Sequence, residues 1–400
     1  MKTVYVGMSG GVDSSVSALL LKEQRYHVVG IYMKNWSKDL PGMKCPWAED
    51  LADAKRVAVK LGIDFEVWDF EDAYREKVVE YMLDEFKKGN TPNPDIMCNQ
   101  EIKFKLFYEK AMEAGADFIA TGHYARTSLG GSCQLFSSPI SQKLNGGPPP
   151  ELSPAHVDLL RAVDENKDQT YFLYRISEYA LSHTIFPIGE MMKPDVKKLA
   201  EKHGLHNAYK KESMGVCFVG EVGMKDFLKE YIDIEPGEIR EIESEKVLGY
   251  HEGAVFYTIG QRHGLYLNGE KGIVNDGMPY YVVKKDIKKN IIYVSKNLNN
   301  NELWTRELEL KDVFLRTNML GLRAFATTGA NFEASPVTTG ASEKASKQSV
   351  LVRVRHRAPL IPATFDGKTL YFEKEIKRPA SGQSAVLYDG EICLGGGIIA

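Results

Sequence analysis

Residues 9–15, Ser9-Gly10-Gly11-Val12-Asp13-Ser14-Ser15, concentrate the groups that hold phosphate. Adjacent glycines let the backbone come close to a ligand, and three serine hydroxyls add donors. A helix starting just beyond would present unpaired N–H groups and the positive end of its dipole. Gly7 and Met8 lead into the loop, and Asp13 within it is suited to hold a magnesium ion or to orient the turn. No Gly-Lys-Ser/Thr follows the glycines, so this is not a Walker-type loop. The chain's one Gly-Lys-Thr, Gly367-Lys368-Thr369, has Pro362 where the motif needs glycine and reads as a turn.

Two of the five cysteines stand in contexts suited to nucleophilic sulfur. Cys98 ends Thr91-Pro92-Asn93-Pro94-Asp95-Ile96-Met97-Cys98 and precedes a helix expected over residues 99–114, whose dipole favours the thiolate. Asp95 would raise rather than lower that thiol's pKa, so it suits handling of a substrate proton. Cys217 lies between Gly215 and Gly220. Cys45, Cys98, Cys133, Cys217 and Cys393 are too widely spaced for C-x-x-C zinc pairs. A secreted disulfide framework does not suit a chain of this length without an export signal, and a single cysteine is more often a small core residue than a catalyst.

The elements that must position these groups follow from periodicity. Strands are expected at residues 2–8, 27–33, 64–70 and 118–121, with helices at 14–24, 48–61, 73–88 and 99–114. Strands separated by helices imply a doubly wound parallel sheet, whose ligands bind at the carboxyl ends of the strands. From about residue 246 the pattern turns to short β-branched or aromatic runs at 255–259, 280–284, 291–295, 350–355, 369–372 and 385–387. That is a small mixed β domain followed by a barrel-like one. The expected domains are 1–209, 210–297 and 298–400. Segments 128–156 and 318–347, rich in Ser, Thr, Gly, Ala and Pro, read as insertions.

Composition narrows the class. A hydrophobic fraction of 43% with 26% charged residues describes a globular protein, and no apolar run is long enough to cross a bilayer. The first strand begins almost at Met1, so a cytoplasmic protein without a targeting peptide and without a membrane partner is expected. With a net charge of −3, any nucleic-acid contact needs a local basic surface. Two are offered: Lys193, Lys197, Lys198, Lys202, Lys210 and Lys211, and a strand in which Arg353, Arg355 and Arg357 alternate onto one face.

Ser-Gly-Gly-x-Asp-Ser resembles the loop of the N-type ATP pyrophosphatases, which split ATP between the α and β phosphates. That loop alone leaves amidation, lysidine formation and sulfur transfer open. Further motifs narrow the choice: Met33-Lys34-Asn35-Trp36, residues 91–99, residues 120–126, Lys167-Asp168-Gln169, residues 212–218, residues 258–262 and Gly382-Gln383. With the phosphate loop they occur in the order seen in tRNA-specific 2-thiouridylases, which the chain resembles over nearly its whole length. A 4-thiouridine synthetase would carry an RNA-binding domain in front, whereas this chain begins with the nucleotide strand.

The resemblance implies a PP-loop ATPase fold and a tRNA-uridine 2-sulfurtransferase acting on the wobble uridine, position 34 of tRNAs for Lys, Glu and Gln. Gly7, Met8, Ser9, Gly10, Gly11, Val12, Asp13 and Ser14 would bind ATP, with Met33 and Gly122 near the nucleotide. Magnesium would arrive with ATP rather than occupy a dedicated protein site. Asn93, Pro94 and Asp95 would meet the target base, Cys98 would be the nucleophile, and Cys217 would carry sulfur as a persulfide. His123, Lys167, Asp168, Gln169, Arg355, His356 and Gln383 would contact the anticodon arm of tRNA. His356 stands where the family often has tyrosine. A cysteine desulfurase or sulfur-relay protein would supply sulfur to a monomer. Direct attack by the persulfide and prior release of hydrosulfide are both compatible with these residues.

Overall fold

The computed structural model describes residues 1–39, 47–128, 157–211, 224–267, 278–316 and 347–400, together with the backbone of 270–271. Cys45, Cys133, Cys217, the 212–218 motif and the bulk of both expected insertions lie outside the described residues. The chain forms two compact units.

The first unit comprises residues 1–78, 95–221 and 389–394. Its centre is a parallel sheet of β1 (Thr3–Gly7), β2 (His27–Lys34), β3 (Asp64–Asp69), β4 (Phe118–Thr121) and β7 (Thr184–Ile185), in the order β3-β2-β1-β4-β7. Helices α1 (Val12–Glu23) and α2 (Trp47–Leu61) cross over between the first three strands. The apolar strands β1, β2 and β4, buried on both faces, produce this arrangement, while β3 at the sheet's edge is largely exposed. Val4, Val6, Val28 and Ala120 pack against Val16, Leu19, Ala54 and Val57 of the helices. Strand order reverses at β1, which lies between β2 and β4. The carboxyl ends of β1 and β4 therefore border the crevice where such sheets take ligands.

Helix α3 covers residues 71–87 and α4 residues 94–113. Both contain π-type turns, at Arg75–Glu80 and Cys98–Leu106. Helix α4 begins five residues before its expected start. Proline has no N–H to lose at the first position of a helix, so Pro94 starts the helix instead of stopping it. Strands β5 (Ala125–Thr127) and β6 (Leu159–Arg161) pair as a hairpin, and Ile392 and Cys393 add to β6. Short helices α5 (Thr170–Leu173) and α6 (Glu178–Ser182) precede β7, and α7 (Lys193–Lys202) follows it.

The second unit comprises residues 79–94, 222–388 and 395–400. After α8 (Met224–Lys229) comes a mixed sheet of β8 (Gly237–Glu241), β9 (Val247–His251), β10 (Tyr266–Leu267), β11 (Glu270–Lys271), β12 (Tyr281–Asp286) and β13 (Ile291–Ser295). Its order is β11-β10-β9-β8-β13-β12, with the β8–β13 pair parallel. Strands β14 (Trp304–Leu315), β15 (Gln348–Arg353), β16 (Ile361–Phe365), β17 (Thr369–Lys377), β18 (Ser384–Asp389) and β19 (Ile392–Ile399) then form an antiparallel barrel. It closes through Leu310↔Ile399 and Leu315↔Gly395, so none of these six described strands is a free edge.

Two expected elements are corrected. Residues 255–259 form no strand: Ala254–Phe256 is a 3-10 turn and the chain then folds back. There Tyr257 is buried in the sheet's core and Gln261 Oε1 accepts from Thr258 N at 3.0 Å. Arg353, Arg355 and Arg357 do not share a strand face. β15 ends at Arg353, whose side chain is buried over the Tyr388 ring, and the chain turns through Arg357 at φ 62°.

Candidate active site

The phosphate loop occupies the carboxyl end of β1. Gly10 takes φ +76°, and a Cβ there would stand 2.4 Å from the Asp50 carbonyl oxygen, so only glycine fits. Ser9 N donates to Ser14 Oγ at 3.2 Å, while Ser14 Oγ and Ser15 Oγ donate to Gly11 O at 3.1 and 2.9 Å. These bonds hold the turn in shape and leave the first N–H groups of α1 pointing out of the helix end. Gly122, just after β4, closes one side. A Cβ there would lie 2.6 Å from Ser14 N, so the strand end and the helix start touch backbone to backbone. Met33, in β2, lies against Gly7. Residues expected near the nucleotide from three separate stretches, 7–14, Met33 and Gly122, thus lie side by side.

Asp13 does not fit a metal ligand. Both its carboxylate oxygens accept from Lys193 Nζ, at 2.7 and 2.8 Å, and Oδ1 also accepts from Tyr124 OH at 3.0 Å. A magnesium ion would compete with an ammonium already in place. Among the described residues there is no cluster of three or more acidic, His or Cys side chains able to hold a metal. These bonds suit the second of its two expected roles, orienting the loop.

Asn207 and Lys210 complete the loop's support. Asn207, buried, donates through Nδ2 to Gly10 O and to Ser15 Oγ, both at 2.9 Å. Lys210 Nζ binds Asp50 at 2.7 Å and Asp53 at 2.6 Å, and His206 reaches Asp53 at 2.9 Å. Lys193 and Lys210 are thereby withdrawn from the expected basic surface, while Lys197, Lys198 and Lys202 remain exposed. Sequence alone suggested charge on this stretch but not its inward use.

Cys98 is buried one turn into α4, and Asp95 stands in the first turn. Burial raises the Asp95 pKa above the ordinary carboxylate value, and nearby Lys103 offsets part of that rise. Lys103 also acts on His123, whose pKa lies well below 6.5, chiefly through burial. The His123 ring packs against Phe104 and Phe186, and its Nδ1 lies 2.8 Å from Thr121 Oγ1. His123 is thus a neutral, buried group at neutral pH rather than a surface cation for RNA. Next to Cys98, Asn99 donates to Phe172 O at 3.2 Å, which ties α4 to α5.

The Lys167-Asp168-Gln169 loop divides its labour. Asp168 is buried, accepting from Ala162 N at 3.2 Å and from Thr170 Oγ1 at 2.9 Å, so it shapes the loop and offers nothing to a surface ligand. Gln169 brackets Tyr124, accepting from its N–H at 2.8 Å and donating its own N–H to the Tyr124 carbonyl at 2.9 Å. Lys167 and Gln169 are half-buried.

A second cluster lies in the second unit, around residues 89–94. Thr91 N donates to Ser381 O at 2.8 Å, and Gln383 Nε2 donates to Thr91 O at 2.7 Å. Thr91 Oγ1 lies 3.4 Å from Thr258 Oγ1. Lys285 Nζ donates to Gly89 O at 2.7 Å, and burial pushes its pKa down to about 8. Two motifs seen in the sequence, residues 258–262 and Gly382-Gln383, thus converge on the segment that leads to Asn93 and Pro94. Arg355 is exposed and His356 half-buried beyond the end of β15.

Three family models match the chain. They are described as a tRNA methyl transferase HUP domain over residues 2–221, a tRNA methyl transferase PRC-barrel domain over 225–296, and an aminomethyltransferase beta-barrel domain over 331–399. A protein of Listeria monocytogenes serotype 4a (strain HCC23) named tRNA-specific 2-thiouridylase MnmA is 43% identical over 396 residues, covering 99% of this chain and 94% of that protein. The Bacillus subtilis (strain 168) protein of the same name is 42% identical over 397 residues, with the same coverage of each chain.

Proposed function

The chain belongs to the tRNA-specific 2-thiouridylase family, and from that premise we propose how its residues divide the chemistry. The reaction is formation of 2-thiouridine in tRNA with ATP as co-substrate. The observation that carries this reading is the 43% identity across 99% of the chain. The intact Ser9–Ser15 loop at the carboxyl end of β1 accords with it.

A uridine C2 oxygen is a poor leaving group, and adenylation cures that. Gly7–Ser14, Met33 and Gly122 would hold ATP, and magnesium arriving with it would neutralise charge on the phosphates. The C2 oxygen attacks the α-phosphorus and pyrophosphate departs, while Asp95 takes the proton lost from the ring nitrogen. The flipped base is held by Asn93 and Pro94. The terminal sulfur of a Cys217 persulfide then attacks C2, and AMP leaves with the C2–O bonding pair. Cys98 thiolate attacks the inner sulfur, breaking the S–S bond. Sulfur stays on the base, and a Cys98–Cys217 disulfide forms that an external thiol reduces. In the alternative order Cys98 frees hydrosulfide first, and hydrosulfide attacks C2.

Lys167, Gln169, Arg355 and His356 serve the anticodon arm of tRNAs for Lys, Glu and Gln, read at position 34. Asp168, His123 and Gln383 hold the segments that bear those contacts. The need for a reductant suits a cytoplasmic monomer loaded by a cysteine desulfurase or relay protein. Among the described residues no helix is long and apolar enough to cross a membrane.

The test is nucleoside mass spectrometry of tRNA after incubation with ATP and a persulfide source. We expect 2-thiouridine with stoichiometric AMP, and AMP formation that depends on tRNA. Thiolation without ATP, or AMP without thiolated base, would sink the reading. Loss of tRNA binding in Cys217→Ser, in place of loss of thiolation alone, would remove Cys217 from the chemistry.

A further inference from the structure

Lys193 is only 6% exposed although it begins a helix otherwise studded with solvated lysines. An ammonium taken out of water is strongly penalised unless paired and hydrogen-bonded, so its placement demands a reason. Its Nζ is spent on Asp13 and lies 5.7 Å from the centroid of the Tyr124 ring. Tyr124 is itself 2% exposed and donates its hydroxyl to the same carboxylate.

Both partners of Asp13 lead to one loop, residues 162–170. From Tyr124 the path runs through its backbone N–H and carbonyl to Gln169. From Lys193 it runs through the backbone N–H to Asp164 Oδ2 at 2.9 Å. Asp164, also buried, accepts from Asn166 N at 3.1 Å through Oδ1 and from Lys167 N at 2.9 Å through its carbonyl. Asp168 stiffens the span between by accepting from Ala162 N and Thr170 N, at 3.2 and 3.3 Å. These contacts, with the chain itself running from Lys167 through Asp168 to Gln169, close a ring that joins Asp13, Tyr124, Gln169, Lys167, Asp164 and Lys193. Its two ends are the first turn of the phosphate helix and the Lys167–Gln169 loop.

We propose that Lys193 and Tyr124 are positioning residues that make the Lys167–Gln169 loop and the Asp13 turn one mechanical unit, so that RNA on the loop and nucleotide on the turn strengthen each other's binding. The proposal rests on the reading above that this loop meets tRNA. Tyr124, Lys193 and Asp164 are buried and hydrogen-bonded, which makes the ring stiff, and ordering at one end lowers the cost of ordering at the other. Such coupling is reciprocal: tRNA must tighten nucleotide by the factor by which nucleotide tightens tRNA.

The experiment measures binding of α,β-methylene ATP with and without unmodified tRNA in the wild type, Tyr124→Phe, Lys193→Met and Lys193→Arg. In the wild type we expect tRNA to tighten the nucleotide about fivefold or more, and the nucleotide to tighten tRNA equally. Tyr124→Phe keeps the ring and loses one hydrogen bond; the coupling ratio should fall towards one while the thermal midpoint moves little. Lys193→Met should lose the coupling as well, and Lys193→Arg should recover part of it. A wild type without coupling, or variants that lose nucleotide affinity equally with and without tRNA, would overturn the proposal and leave the ring a structural brace. If Lys167→Ala leaves tRNA affinity unchanged, the premise about the loop fails instead, and the proposal falls with it.

Discussion

At the phosphate loop the restraints are side chains drawn from far along the chain: Lys193 and Tyr124 on Asp13, and Asn207 on Gly10 and Ser15. Around Thr91, in the other unit, most of the restraints meet backbone: Ser381 O on Thr91 N, Gln383 on Thr91 O and Lys285 on Gly89 O. The first site must keep a set of N–H groups aimed at a charged ligand, and it uses an ion pair between a buried ammonium and a half-buried carboxylate to fix them. The second must present a short proline-flanked segment, and hydrogen bonds to its main chain suffice. In each, a residue expected to touch a ligand is itself engaged within the protein: Asp13 by Lys193 and Tyr124, and Gln383 by Thr91 O.

The difference is exposed most sharply by Asp13→Ala. It removes the partner of a buried ammonium, which costs about 3 kcal/mol of stability, and frees the helix start that orients phosphate. We expect adenylation to fall by about 100-fold or more, an effect of the size seen when a preorganised charge-stabilising group is removed. The double variant Asp13→Ala/Lys193→Met should regain most of the stability and none of the activity. AMP formation at the wild-type rate by Asp13→Ala would contradict the assignment of the loop.

Asp95→Asn separates stability from chemistry. Burial raises the Asp95 pKa, with Lys103 opposing, so folding favours its protonated form. Wild-type stability is therefore fullest below the unfolded value near 3.8 and declines as pH rises through the higher folded value. The neutral amide is spared that loss. Asp95→Asn should be more stable than the wild type at pH 7, with the gap closing as pH falls towards 4, by denaturant titration. Thiolation should drop by about two orders of magnitude, as for loss of a general base. A variant less stable at pH 7 would mean that the carboxylate is a structural anchor.

Gln383→Ala tests the other cluster. It removes one bond to Thr91 O, worth about 1 kcal/mol, and frees the segment before Asn93. We expect KM for tRNA to rise several-fold with the ATP KM unchanged, and faster amide exchange at residues 90–93. A shift confined to the ATP KM would break the division between the two clusters.

How much of this was legible in the sequence tracks the same division. The phosphate loop was plain because a ligand's charge dictates residue types: glycine where Gly10 meets Asp50, and serine hydroxyls around Gly11. The alternation of strands and helices was equally plain, since β1, β2 and β4 are apolar runs fixed by burial on both faces. The holders were not plain. Lys193 among lysines looks like solvated charge, and only folding brings Asp13 to it. Asn207 carries no motif at all. Residues 255–259 look like a strand because their apolar side chains pack in the core, yet a turn buries them as well. Strand β14 went unseen because its outward positions are charged, which masks the apolar inner positions Leu308 and Leu310.

The smallest effect is expected from the arginines that end β15, and it turns on two side chains separated by one residue. Arg353 is buried over Tyr388, so Arg353→Ala leaves a void in the barrel and should lower its unfolding midpoint without changing the salt dependence of tRNA binding. Arg355 lies beyond the last paired residue and is exposed. If it meets an RNA phosphate, Arg355→Ala should weaken tRNA binding only two- to threefold at moderate salt. It should also lower the slope of log affinity against log salt by about 0.7 to 0.9, the release of roughly one counterion. Nucleotide affinity and thermal midpoint should stay put. Equal slopes for Arg355→Ala and wild type would place the RNA elsewhere. A changed slope in Arg353→Ala would show that the buried arginine swings out when RNA binds, and the strand face expected from the sequence would then form in the complex.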